Sequence, residues 1–246
     1  MKHDQSDFQN HSKSRFSLPI PFGALRGCWW CPSAGGKVLR VLQGMYEPAQ
    51  TSRFLELVRP DDVVFDIGAA TGYYTLLAGK LTGHNGRVVA FEPMPRNRHF
   101  LETHVAKNRL SNVSIYDFAI GGHNGAIGFT SGTGTGTGRI TEDGLFTVNV
   151  KTLDTFVQES GTRPTHLKID VEGAELSVLQ GAVETLRTCR PTLFLSTHGD
   201  AVHRDCCEFL RSLGYQLTPM HGNSVALESC DEVLCQLHRV SSLRAA

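Results

Sequence analysis

No uninterrupted apolar run in this 246-residue chain approaches the roughly 18 to 20 residues needed to cross a bilayer, so no helical membrane span is expected. The first 15 residues are polar and contain two His, without the basic start and apolar stretch of an export signal. Charge of one sign is not in excess: 24 Lys and Arg balance 24 Asp and Glu. Composition therefore supplies no basic face to release counterions from nucleic acid, and a nucleic-acid partner is not expected. Cysteine is sparse and odd in number, seven scattered residues, which argues against a disulfide-stapled small domain and points to reduced thiols in a cytoplasm. Internal repeats are also lacking.

What is present is the composition of an ordinary globular chain, 40% hydrophobic and 20% charged, long enough for one large α/β domain. Met1 to Arg15 has no apolar periodicity and reads as a frayed arm. Phe16 to Pro32, with three prolines and the paired Trp29 and Trp30, reads as an irregular segment packed on its own domain or on an acceptor. A helix is expected from Pro48 to Val58. Short apolar strands then alternate with helices: strand Val63 to Ile67, helix Tyr73 to Leu81, strand Arg87 to Phe91, helix Arg96 to Asn108, strand Val113 to Tyr116. After a hairpin of Ala126 to Thr130 with Leu145 to Val150, around a mobile Gly and Thr tract from Gly132 to Gly138, the alternation resumes. It continues with strand His166 to Val171, helix Glu175 to Leu186, strand Thr192 to Ser196, helix Ala201 to Leu213, and strands Tyr215 to Pro219 and Val233 to Leu237. Continuous apolar strands spaced by helices imply a mostly parallel sheet covered on both faces.

In such a sheet, ligands bind beyond the carboxyl ends of the strands, where strand order reverses. The segment VVFDIGAATGYYT, Val63 to Thr75, ends a strand in Asp66 and enters a helix through a turn of small residues, Gly68, Ala69, Thr71 and Gly72 among them. Glycines permit close backbone approach there, and the helix start offers amide N–H groups to an anion. Glu92, at the end of the next strand, has the acceptors for two ribose hydroxyls, while Asp117 and Phe118, after the third, are placed to meet an adenine amino group and ring. The spacing from Gly68 to Gly72 is GxxxG and lacks the GxGxxG that seats a pyrophosphate, which a carboxylate at Asp66 would also repel. The turn therefore points to a cofactor without phosphates; for a methyl donor, S-adenosylmethionine, the methionine carboxylate would meet the helix start and its ammonium would face Asp66. An NAD-dependent oxidoreductase and a noncatalytic module binding the same cofactor are the competing readings.

LKIDVEGAELSVLQGA, Leu167 to Ala182, resembles the signature of FkbM-type methyltransferases, and it follows DIGAATG, FEP and TLDTF (Thr152 to Phe156) in the order of that family. The resemblance covers roughly Gly44 to Leu217. It implies a Rossmann-like, seven-stranded S-adenosylmethionine-dependent methyltransferase domain over residues 48–240, preceded by the arm and irregular segment at 1–47. It further implies O-methylation of a hydroxyl on a sugar, polyketide or other small metabolite. Ala70 stands where the family commonly has Asn, and STHG (Ser196 to Gly199) stands where an acid often precedes the His.

A hydroxyl acceptor must lose its proton as it attacks the methyl. The groups expected near the sulfonium are Asp170, Glu172 and His198, with His198 as general base and Asp170 or Glu172 orienting it or the acceptor. The alternative is structural: Asp170, Glu172 and Glu175 complementing a helix N-terminus, and His198 making a packing hydrogen bond. No metal ligand is assigned, although a divalent ion held by Asp170, Glu172 and His198 is a lesser reading. Cys28 and Cys31 flank the tryptophans as CxxC; with no second pair to complete a zinc site, packing is the expectation. His203, His221 and His238 read as solvated or satisfied.

Overall fold

The apolar runs that lack polar alternation become the strands of one sheet buried on both faces. A computed structural model describes residues 16–35, 37–131, 138–140, 146–221 and 226–237. The expected arm at residues 1–15, the Gly and Thr tract except Gly138, and His238 lie outside them. The sheet comprises β1 (Val63–Ile67), β2 (Arg87–Phe91), β3 (Val113–Tyr116), β4 (His166–Ile169), β5 (Thr192–Ser196), β6 (Tyr215–Pro219) and β7 (Glu232–Leu237), in the spatial order β6-β7-β5-β4-β1-β2-β3. Only β7 runs antiparallel to its neighbours. The order reverses between β1 and β4, and that is where ligand-binding crevices form in open α/β sheets.

Successive side chains of each strand feed opposite layers. Phe65, Ile67, Val89, Phe91, Leu167, Ile169, Leu193 and Leu195 enter one core, and Val64, Val88 and Phe194 the other. The first core is roofed by α5 (Leu153–Ser160), α6 (Glu175–Gln180), α7 (Val183–Cys189) and α8 (Asp200–Ser212); the last buries His203, Cys206, Cys207 and Leu210 at helical spacing. The second core is closed by α1 (Val38–Leu42), α2 (Pro48–Leu57), α3 (Tyr73–Thr82) and α4 (Pro95–Lys107), together with the irregular N-terminal segment.

That segment packs on its own domain. Leu18–Pro19 pairs antiparallel with Trp29–Trp30, and Ile20, Leu25, Cys28, Trp30 and Cys31 are buried. Trp30 stacks on His104 of α4 at 4.0 Å between ring centroids. His104 accepts from the Cys31 amide at Nε2 and donates from Nδ1 to the Thr71 carbonyl, so one buried ring ties the segment to the turn after β1. Burial lowers its pKa to about 4 and keeps it neutral.

One expectation is corrected. The helix read from Glu175 to Leu186 is two helices broken at Gly181 and Ala182. The break is imposed from a distance: the Asp154 carboxylate accepts from the Glu184 and Thr185 amides and the Thr185 hydroxyl, capping α7. TLDTF itself opens a helix, α5, capped by Thr152, whose Oγ1 accepts from the Thr155 amide. The expected hairpin is present, Gly125–Ser131 pairing antiparallel with Phe146–Lys151, and it belongs to a separate four-stranded sheet that Ala119–Ile120 and Gly138–Ile140 complete.

Candidate functional site

The turn after β1 is a run of left-handed backbone. Gly68 has φ +82°, Ala70 +48° and Gly72 +97°. Ala70 is the uncomfortable member, because a side chain in this region costs energy that Asn bears better than Ala. At Gly68 the demand is tertiary as well: a Cβ there would lie 1.9 Å from the Asp170 carbonyl oxygen at the end of β4. The amides of Gly68 and Ala69 both bond to the Phe91 carbonyl, fixing the turn against the end of β2. Helix α3 begins at Gly72 with no side-chain cap, and its first residues line a cavity of about 310 Å³.

Two carboxylates are buried beside this turn. Asp66 is 2% exposed and accepts from the Thr75 hydroxyl; burial pushes its pKa up to about 6 against the help of that bond. Glu92 is 4% exposed and accepts from the Ala70 and Met94 amides, each at 2.8 Å, yet burial still pushes it up to about 7. Buried carboxylates held this way gain from a cationic or hydroxylic partner in the cavity. Glu92 lines a second cavity of about 120 Å³, and Gly68, Ala70, Asp170 and Glu172 form a wall common to both. Ala69 and Thr71 also line the first cavity. Asp117 and Phe118 line neither: Asp117 is exposed at the end of β3, while Phe118 packs against Phe91 and Tyr116 with the Lys151 ammonium over its ring.

Asp170 and Glu172 of that wall converge with His198 from the ends of β4 and β5. His198 Nε2 lies 3.7 Å from Asp170 Oδ1 and 3.6 Å from Glu172 Oε2, and its Nδ1 is 2.8 Å from Glu175 Oε1. The Glu175 bond, with the nearby Asp170 and Glu172 charges, holds the imidazole pKa above its ordinary value despite partial burial. Burial works to raise the Asp170 carboxyl, but Lys168 and His198 outweigh it and hold it below the usual range.

Two residues matter more than sequence reasoning assigned. Glu175 does serve the start of α6, accepting from the Gly173 amide, but it is fully buried and also fixes His198. Lys168, 1% exposed, donates to Asp170 Oδ2 at 3.2 Å and Ser196 Oγ at 2.9 Å and lies over the Tyr74 ring. Its signal was a lone cation inside an apolar strand within KIDVEGAE.

Residues 66–217, well over half of the chain, match the methyltransferase FkbM domain. The chain belongs to that family. Over 138 residues it is 30% identical to hexuronic acid methyltransferase AglP of Haloferax volcanii, covering 54% of this chain and 55% of that protein. A 39-residue stretch is 49% identical to ribosomal RNA large subunit methyltransferase E of Marinobacter nauticus, covering 16% of this chain and 19% of that protein. The chain thus spans about half of the first relative and about a fifth of the second. Among solved structures, methyltransferase FkbM of Methylobacillus flagellatus shares the fold with a TM-score of 0.54 at 20% identity, over 81% of this chain and 53% of that one. S-adenosylmethionine is the cofactor of this family and fold, and the turn, the uncapped helix start and two buried carboxylates fit it. No helix among the described residues is long and apolar enough to cross a membrane.

Proposed function

We propose that the protein methylates a hydroxyl of a sugar or sugar-like small molecule, with acidic sugars as the leading acceptor class. One observation carries this reading: the wall of Gly68, Ala70, Asp170 and Glu172 is shared by two cavities, so the cofactor turn and the groups able to handle a hydroxyl proton meet at one place. Asp66 would hold the cofactor's ammonium, the start of α3 its carboxylate and Glu92 its ribose hydroxyls; Asp117 and Phe118, expected at the adenine, line neither cavity and are left out of this reading. When bound, S-adenosylmethionine would supply a sulfonium methyl that an oxygen nucleophile attacks in line, the O–C bond forming as the C–S bond breaks and S-adenosylhomocysteine leaves. The chain's task is then to align the acceptor oxygen and accept its proton. The Asp170, Glu172 and His198 cluster performs the second, while Glu175 and Lys168 hold His198 and Asp170 in place.

The 30% identity to a hexuronic acid methyltransferase supports a sugar acceptor. Lys37, which lines both cavities with its ammonium 3.5 Å from Glu47, is the cation that a sugar carboxylate would meet. Balanced charge argues against a nucleic-acid acceptor.

The test is incubation with methyl-labelled S-adenosylmethionine and a panel of hexuronic acids, neutral sugars and short RNAs, with product masses read out and cofactor affinity measured calorimetrically. Methylated acidic sugar is expected, and His198→Ala should lower turnover about 100-fold or more while leaving cofactor affinity within a few-fold. Labelled RNA with untouched sugars would overturn the acceptor class. Tight cofactor binding without turnover across the panel would make the protein a binding module instead.

A further inference from the structure

His198 is oriented by a partner that settles which of its nitrogens carries a proton. Glu175 is wholly buried and its Oε1 accepts from the Gly173 amide, so it is an acceptor toward His198, and Nδ1 is the donating nitrogen of their 2.8 Å bond. In the neutral ring that leaves Nε2 as a lone pair. Nε2 lies 3.7 and 3.6 Å from carboxylate oxygens of Asp170 and Glu172, and the three atoms are within 4.8 Å of one another. Neither separation is a hydrogen bond, because a donating imidazolium would draw one oxygen to about 2.8 Å. The spacing is instead close to that of neighbouring ligands around a divalent ion. Ligand bonds of about 2.1 to 2.3 Å put neighbours roughly 3 to 3.6 Å apart, so the two His198 separations need shifts of only a few tenths of an ångström, while the two carboxylate oxygens, within 4.8 Å of each other, would draw together on the ion.

Charge agrees. Asp170, Glu172 and Glu175 carry three negative charges, and Lys168, bonded to the other oxygen of Asp170, returns one positive charge. Two negative charges are left around three converging lone pairs. The side chains of His198, Asp170 and Glu172 are 33%, 27% and 36% exposed, so the cluster opens to solvent, and Asp170 and Glu172 also line both cavities.

We propose that Asp170 Oδ1, Glu172 Oε2 and His198 Nε2 bind one divalent cation of the Mn²⁺ type, with Glu175 as the positioning residue that orients His198. One imidazole with two carboxylates suits such an ion, and three protein ligands leave positions for water or an acceptor. A carboxylate on the far nitrogen of a ligating histidine fixes its tautomer and raises its basicity. In the methyl transfer proposed above, the ion would draw the acceptor hydroxyl onto an open position and lower its pKa; with Nε2 and both carboxylates engaged on the ion, the proton would pass to solvent in place of direct transfer to the cluster. That consequence rests on the proposed function; cation binding does not.

The experiment uses the full chain stripped of metal and titrated with Mn²⁺, free ion being read by electron paramagnetic resonance and cofactor binding by calorimetry on the same sample. One equivalent should bind. His198→Ala should weaken binding at least 100-fold, Glu172→Gln at least tenfold, and Glu175→Gln roughly 10 to 100-fold with Asp170, Glu172 and His198 intact. Glu172→Gln, at a partly exposed side chain, keeps the test open if His198→Ala fails to fold. Absence of saturable binding up to millimolar Mn²⁺, or binding unchanged by these substitutions, would overturn the site. Cofactor binding without Mn²⁺ binding would sink the metal alone, whereas Mn²⁺ binding without cofactor binding would sink the proposed function and leave the metal standing.

Discussion

Replacing Gly68 by Ala adds one methyl group at the tightest point of the cofactor turn. Its cost can be worked out by comparison with Gly72→Ala. Both glycines have left-handed φ, +82° and +97°, so each substitution incurs a similar backbone cost of about 1 to 2 kcal/mol. They differ in what the new Cβ meets. At Gly72 it meets the end of the buried Leu101 side chain at 2.5 Å, which can shift at less cost than backbone. At Gly68 it meets the Asp170 carbonyl oxygen at 1.9 Å, a backbone atom at the end of β4, so the turn and that strand must separate by more than 1 Å. Forced separation of this kind adds roughly 1 to 3 kcal/mol. Urea denaturation without cofactor should therefore show Gly72→Ala losing about 2 kcal/mol and Gly68→Ala about 4. Because the displaced turn is the one that seats the cofactor, Gly68→Ala should also weaken cofactor binding at least tenfold in calorimetry. Equal losses in the two variants, or a larger loss at Gly72, would refute the claim that contact with β4 makes Gly68 obligatory.

Asp154→Ala should cost about 2 kcal/mol in the same denaturation assay, since it removes three hydrogen bonds at the start of α7, and should leave cofactor affinity unchanged. Stability should also depend on pH through the buried acids. Asp66 rises from 3.8 to about 6 and Glu92 from 4.5 to about 7, so the folded state holds their protons more tightly than the unfolded chain. The stabilisation is full below about pH 4 and is lost as pH climbs to about 7, at most roughly 3 kcal/mol per group. Cofactor affinity should strengthen over the same range as both acids ionise, and Asp66→Asn with Glu92→Gln should flatten the dependence; a flat wild-type profile from pH 5 to 8 would contradict it.

The strands were legible because each is a short apolar run bounded by turn residues, a local property that does not depend on which strand lies next to it. The cofactor turn was legible for the same reason: an acid at a strand end, two glycines and a helix start within ten residues. Glu175 was harder. Its place at the head of α6 explains its charge locally, and only His198, 23 residues away, reveals its second role. The break at Gly181 was hidden because the apolar spacing runs on through it, and the carboxylate that caps the second helix comes from the 150s.

The chain alone fixed the α/β class, the alternation of elements and a turn built for a phosphate-free nucleoside, because periodicity and turn chemistry act over a few residues. Folding decided the strand order, the antiparallel β7, the packing of the N-terminal segment through Trp30 and His104, and the convergence of Asp170, Glu172 and His198. Those depend on which distant segments bury one another and on where lone pairs end up facing, and no local spacing encodes either.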